Sequence, residues 1–213
     1  MIRLRRALAC IGVFFALLVP FTGSAEEQTV DVDPAAPVDL LNATLAEIAA
    51  AGLDLTYEQR FDQLEPVVTE AYNLPLMTRL VVGSGAWSDL SEDDQAALID
   101  GFERMSIAAY AARFGGEPGG QDLHFSVSEV ADGPRRTKLV SSFLELKQQD
   151  DVKFSYVMRQ AETGWRIVDV IIDDQYSELS RRRADFGAIL SAGGVAALLE
   201  RIDEIVGKYQ SDS

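Results

Sequence analysis

The sequence predicts an α+β fold in which helices cover one face of a twisted, four-stranded antiparallel sheet. Apolar residues recur at helical spacing before residue 115 and again after residue 177. Four strand-like runs lie between residues 123 and 173, joined by short polar connections. Such connections suit hairpins and leave no room for crossover helices. Helices packed across the concave side of this sheet would form a cone, and a cone is either filled or hollow.

Helical patterns precede and follow the sheet. They are predicted at Val38–Ala51, from just after Leu55, at Leu76–Val82, at Glu92–Phe114, at Ser177–Leu190 and at Val195–Tyr209. Pro66 falls inside the second pattern and should bend or break that helix, because proline removes a backbone donor. Ser91, with Asp94 three residues later, is typical of a capped helix start. Gly193 and Gly194 separate the last two helices.

The four strands are predicted at Leu123–Val130, Thr137–Leu146, Val152–Arg159 and Trp165–Asp173. In the first strand, Leu123, Phe125 and Val127 alternate with polar residues, which gives one apolar and one hydrated face. The other strands show similar alternation. One face of the sheet must therefore be covered.

The first 25 residues resemble a secretory signal peptide. Three arginines precede an apolar run from Ala7 to Phe21, and small residues lead up to Ala25. The alternative is a retained membrane anchor, but the run is shorter than the ~20 residues that a spanning helix needs and contains Pro20. We expect cleavage after Ala25. Residues 26–37 are acidic and contain proline, which is typical of a flexible lead-in to a single domain at residues 38–210.

Composition excludes several classes of protein. Cys10 is the only cysteine and would leave with the signal peptide. Loss of residues 1–25, which carry three arginines and no acid, takes the formal charge from −15 to −18. Such an acidic protein repels nucleic acids and anionic surfaces at long range. The mature chain is therefore not expected to bind nucleic acid.

The search for catalytic or metal-binding residues finds little. His124 is the only histidine and falls on the hydrated side of the first strand, so neither a Cys/His pair nor a zinc site is expected. No cofactor is expected. Asp169 lies among apolar residues of the last strand, where an aspartate acts as a buried base of raised pKa, is held by hydrogen bonds to a backbone or an arginine, or faces water.

Apolar and aromatic residues are abundant at the positions predicted to face the interior. Composition alone does not separate a packed core from a lipid-sized cavity. The candidate lining residues are Phe61, Leu64, Val68, Leu76, Leu80, Trp87, Phe102, Met105, Tyr110, Phe125, Val127, Phe154, Tyr156, Met158, Val168, Val170, Ile172, Phe186 and Ile189.

Five segments, in order and spacing, resemble the MlaC family, also known as the toluene-tolerance or ABC-transporter auxiliary component family. They are Tyr57–Val68, Met77–Gly83 with Trp87, Ala108–Phe114, Gly164–Val170 and Arg182–Leu190. The resemblance covers residues 40 to 206 and departs from the common pattern at Gly115–Gly120 and at Asp173–Gln175. Asn73–Arg79 and the Gly193–Gly194 pair are closer to the hopanoid-associated HpnM branch.

This resemblance implies an NTF2-like cone whose apolar cavity holds the acyl chains of a phospholipid or hopanoid-type lipid. It implies a monomeric, non-enzymatic periplasmic carrier that moves lipid between the outer and inner membranes. The implied partners are an outer-membrane lipoprotein complex and the MCE-domain subunit of an inner-membrane ABC transporter. The helices after Pro66 and around Gly83 would form the adjustable wall of the cavity, because helix breakers lie beside their apolar faces.

Two alternatives remain from the sequence. NTF2-like cones also house enzymes that act on apolar small molecules, and Asp169 would then be the base. A periplasmic adaptor with a solid core, which bridges partners without binding lipid, is the other.

Overall fold

The computed structural model describes residues 33–146 and 150–213, and these belong to one compact unit. The predicted signal peptide and residues 26–32 of the predicted lead-in lie outside the described residues. Within the described part of the chain, no helix combines the length and apolar character needed to cross a bilayer.

The described residues form six α-helices and five strands. The helices are α1 (Ala36–Ala51), α2 (Tyr57–Ala71), α3 (Leu74–Val82), α4 (Ser84–Ser88), α5 (Glu92–Arg113) and α6 (Glu178–Ser211). The strands are β1 (His124–Asp132), β2 (Thr137–Glu145), β3 (Val152–Ala161), β4 (Gly164–Ile172) and β5 (Tyr176–Ser177). The α+β class is confirmed, because helices at both ends of the chain flank a purely antiparallel meander.

The helix boundaries follow local capping. Helix α2 starts with a capping box, in which Thr56 and Gln59 each accept a hydrogen bond from the other's backbone N–H. The prediction of a break at Pro66 is wrong, since α2 continues to Ala71. Pro66 and Asp62, whose carbonyl loses its helical partner, both lie on the exposed side, where water can solvate that carbonyl.

The sheet has five strands in the order β1-β2-β3-β4-β5, one more than predicted. Strand β5 pairs Tyr176 with Ile172 and Ser177 with Ile171. Asp173 and Asp174 make the tight turn before it with φ of 50° and 55°. Two residues are too few to show an alternating pattern, so periodicity could not have revealed this strand.

A bulge interrupts the alternation of β4. Val157 pairs with Asp169 and Met158 with Ile167, so Val168 is an extra residue between these pairs. Ile167 and Val168 are consequently both buried. The bulge therefore interrupts the predicted alternation of Val168, Val170 and Ile172 at Val168.

Helix α6 consists of two helical segments joined by a kink at Gly194, where the backbone is non-helical with φ of 70° and ψ of −166°. The two predicted closing helices are its two halves. A positive φ is accessible to glycine at little cost, which explains why the change of direction falls there.

Arg60 ties α2 to the end of α5 inside the core. Its side chain is almost fully buried and donates to two carbonyl oxygens, of Ala111 and Leu55, both at 2.8 Å. The Ala111 carbonyl lies in the last turn of α5, where backbone acceptors lack helical partners and the helix dipole is negative. The positively charged guanidinium of Arg60 supplies a donor and the opposite charge at that helix end.

The glycine-rich loop at residues 115–120 packs on the end of α1. Gln121 donates its backbone N–H to the Ala49 carbonyl at 2.7 Å. A Cβ on Gly120 would lie 2.1 Å from the Ala50 carbonyl oxygen, whereas one on Gly119 would meet nothing within 4 Å. The loop therefore needs glycine at position 120 for close backbone approach as well as for its positive φ.

We expect Gly120→Ala to lower the free energy of unfolding by about 3 kcal/mol and Gly119→Ala by about 1 kcal/mol. Both residues have a positive φ, of 71° and 81°, so backbone strain is matched and only Gly120 adds a steric clash. Urea denaturation of both variants measures the difference. Equal losses would contradict the close packing of this loop on α1.

Candidate functional site

A partly open space of about 90 Å³ lies between the sheet, α5 and both halves of α6. The sheet contributes Phe125, Phe154, Tyr156, Val170 and Ile172. Helix α5 contributes Phe102, Ser106, Ala109, Tyr110 and Arg113. Helix α6 contributes Glu178, Arg181, Arg182 and Tyr209. We call this space the cavity.

The strand residues reach the cavity because they share one face of the sheet. Tyr156 pairs with Val170, and Phe154 with Ile172, across β3 and β4. On the far side, Phe125 of β1 pairs with Leu144. Period-two alternation thus brings apolar side chains from three strands to one wall.

Aromatic rings line much of this wall. The ring centroids of Tyr110 and Phe114 are 6.0 Å apart, and those of Phe114 and Phe125 are 6.2 Å apart. Tyr72 and Tyr110 hydrogen-bond through their hydroxyl groups. Burial raises the pKa of both hydroxyls, and that of Tyr156 as well. The tyrosines therefore remain neutral, and the wall offers apolar surface with a few polar contacts.

A second concavity of about 700 Å³ lies between the two halves of α6, and we call it the groove. Phe186 and Ile189 line it from the first half and Ile205 from the second. Arg181, Arg182 and Tyr209 line both the groove and the cavity. The two spaces therefore adjoin where α6 crosses the open end of the cavity.

The predicted lining residues fall into several places. Seven line the cavity, namely Phe102, Tyr110, Phe125, Phe154, Tyr156, Val170 and Ile172, while Phe186 and Ile189 line the groove. Leu64, Val68, Met105, Met158 and Val168 are buried in the core. Phe61, Leu76, Trp87 and Val127 pack partly buried against that core, and Leu80 is half-buried on α3.

Sequence reasoning missed the polar part of the cavity. Arg113, Glu178, Arg181, Arg182 and Tyr209 lie on its wall, although none was proposed from the sequence. It also missed Leu45, Tyr72, Met77, Ser106, Ala109 and Phe114. A run of three arginines at 181–183 in an acidic chain was the one available signal for the charged members.

Asp169 does not line the cavity. Its carboxylate accepts hydrogen bonds from the Ser177 hydroxyl at 2.6 Å and from the Leu179 backbone N–H at 3.0 Å. It also accepts one from the backbone N–H of the next residue, Val170, at 2.8 Å. These bonds fix the start of α6 against β4. The arrangement favours a structural role for Asp169 over that of a catalytic base.

The described residues contain no group of three His, Cys, Asp or Glu side chains placed to hold a metal ion. His124 is exposed, with Nε2 3.2 Å from the carboxylate of Asp122.

Comparisons with known proteins agree with this geometry. A structure of the phospholipid-binding protein from Ralstonia solanacearum, in complex with a phospholipid, superposes with a TM-score of 0.70 at 18% sequence identity. The match covers 83% of this chain and 98% of that chain, and at this identity it shows the shared fold. A comparison with curated proteins finds no match. The family model described as MlaC protein matches residues 39–204, which is more than half of the chain, and the chain therefore belongs to the MlaC family.

Proposed function

We propose that this protein is a periplasmic carrier that binds the acyl chains of a phospholipid and moves it between the outer and inner membranes. The observation that carries the proposal is the aromatic and aliphatic cavity between the sheet, α5 and α6. Its fold is that of a protein with a phospholipid bound. A hopanoid-type lipid is the other cargo that such a wall would accept.

The physical need for such a carrier is large. Exposing an acyl chain to water costs roughly 0.8 kcal/mol per methylene. Unaided desorption of a two-chain lipid from a membrane is consequently very slow. An apolar wall that covers the chains removes most of this cost, and no covalent bond needs to be made or broken.

The cavity is narrow in its present form. Its volume of about 90 Å³ lies far below the roughly 300–1,000 Å³ of ordinary ligand pockets. Acyl chains therefore enter only if the wall moves outward. Helix α6 is the wall element best suited to this, because it contributes residues from both halves and bends at Gly194.

In the proposed transport system, the protein receives lipid from one complex and delivers it to another. An outer-membrane lipoprotein complex and the MCE-domain subunit of an inner-membrane ABC transporter are the proposed partners. Contact with either would displace α6 and expose the cavity. The negative formal charge of −15 favours basic docking surfaces on these partners.

Extraction of the protein identifies its cargo. We expect near-stoichiometric phospholipid or hopanoid in an organic extract of protein purified from a bacterial periplasm without detergent, measured by mass spectrometry. A lipid-free extract, together with no uptake of added lipid by the purified protein, would favour the adaptor alternative.

A cavity-filling substitution tests where the lipid binds. Ala109 lies on the cavity wall of α5, so Ala109→Trp should place an indole in the space of the acyl chains and reduce bound lipid by at least about tenfold. Ala96→Trp is the matched control, because Ala96 is exposed on the same helix. Both variants are compared by lipid extraction and by thermal unfolding. Equal lipid content in the two variants would place the binding site elsewhere.

Hydrogen exchange tests which wall opens. We expect faster amide exchange in the first half of α6 than in β2 and β3, because opening α6 leaves the central strands paired. The segment from Pro66 to Gly83 remains the other predicted moving wall, although α3 contributes only Met77 to the cavity within the described residues. Exchange protection in α6 equal to that of β2 and β3 would argue against opening at this helix.

A further inference from the structure

Arg182 is a mostly buried cation on the wall of an otherwise apolar cavity. Its side chain is 15% exposed. The guanidinium carbon lies 5.6 Å from the centroid of the Phe102 ring, and Nη1 donates to the sulfur of Met105 at 3.1 Å. The cation is therefore held mainly by an aromatic face and a thioether.

These contacts compensate the charge poorly. A thioether sulfur is a weak acceptor, whereas a guanidinium carries five N–H donors. Glu178 forms a long ion pair with Arg182, 3.9 Å from its Nε and beyond hydrogen-bonding distance, and the same carboxylate lies closer to Arg181, at 3.0 Å. Burial lowers the pKa of Arg182. Buried charges are normally paired at close range, and Arg182 shares its one carboxylate with Arg181, so this guanidinium is placed to receive an additional anionic partner.

Two further arginines line the same cavity. Arg181 and Arg113 are exposed at its open end. Among the charged residues on the cavity wall, three are therefore arginines and one is a glutamate, in a chain with a formal charge of −15. The local charge is opposite in sign to that of the whole protein, which favours binding of an anion there.

The adjoining surface specifies the kind of anion. Arg181 and Arg182 line both spaces, so they meet the aromatic wall where the cavity joins the groove, while Arg113 lines the cavity alone. A ligand that satisfies both must carry acyl chains and an oxyanion on one molecule. Planar guanidinium groups bind phosphate oxygens in pairs, and several around one opening suit a phosphate better than they suit a single flat carboxylate.

We propose that Arg182, assisted by Arg181 and Arg113, binds the phosphodiester of the lipid at the mouth of the cavity, so that the carrier selects its cargo by this phosphate. The assignment rests on the proposed function. Acyl chains occupy the aromatic wall, the phosphate lies against the guanidinium groups, and the remainder of the headgroup stays in water.

The experiment compares two lipids that have the same acyl chains. Delipidated protein is incubated with vesicles of dioleoylphosphatidylcholine that contain equal amounts of dioleoylphosphatidylglycerol and dioleoylglycerol, and retained lipid is measured by mass spectrometry after gel filtration. We expect the unaltered protein to retain phosphatidylglycerol over dioleoylglycerol by about tenfold or more, the effect of a charge-assisted hydrogen bond. Arg182→Met should reduce this ratio to about one while dioleoylglycerol is still retained.

Control variants separate this effect from general loss of charge or of folding. Arg159→Gln removes an exposed charge on β3 that lines neither the cavity nor the groove, and it should keep the full preference. If Arg182→Met does not fold, the double variant Arg113→Gln with Arg181→Gln changes two exposed side chains and should reduce the preference by itself.

Other results of these measurements would refute either the carrier function or the phosphate assignment. Retention of no lipid at all by the unaltered protein, phosphatidylcholine included, would refute the carrier function itself. Retention of both lipids equally, or an unchanged preference in Arg182→Met or in the double variant, would refute the phosphate assignment and leave the carrier intact. Oleate retained as well as phosphatidylglycerol would assign the arginines to any acyl oxyanion. Radiolabelled inorganic phosphate retained by the lipid-free protein would assign them to a free anion.

Discussion

The structure depends on covering one apolar face of an antiparallel sheet. Strands β2 and β3 bury three side chains almost fully on that face, those of Val140, Tyr156 and Met158. Helices from both ends of the chain supply the cover, since α1, α2, α3 and α6 all contact β4. The helices that precede the sheet and the helix that follows it pack on the same face. The cavity lies where α5 and α6 leave space between them over the sheet.

The position of α6 is set by polar contacts at one end and by a bend in the middle. Asp169 holds the helix start through Ser177 and Leu179, and Ser177 also caps it by accepting from the Ser180 amide at 3.0 Å. Beyond these contacts the helix runs over the open end of the cavity to Gly194. The start of α6 is thus fixed by hydrogen bonds, and the rest of its first half crosses the cavity up to the kink at Gly194. The proposed outward movement of this wall requires such a fixed point at one end.

Much of the fold was predictable because local patterns determine it. The alternation in β1 and β3 correctly placed Phe125, Phe154 and Tyr156 on the cavity wall. Prediction on the helices was poorer, because a helix between two layers buries more than one face. Leu64 of α2 accordingly points into the core. The burial of Arg182 was not predictable, since a cation carries no apolar signal and its location depends on the packing of α5 against α6.

The small volume of the cavity is itself consistent with carriage of lipid. If the wall stood open without cargo, its aromatic rings would face water, at a cost of roughly 25 cal/mol for each Å² of apolar surface. The narrow form avoids this cost. In the proposed carrier, loading would offset the work of opening, which would lower the affinity for lipid and allow release when a partner stabilises the open wall. Arg182 fits the proposed cycle, because a phosphate would add a close anionic partner to the sulfur, the aromatic ring and the distant carboxylate that now surround its guanidinium.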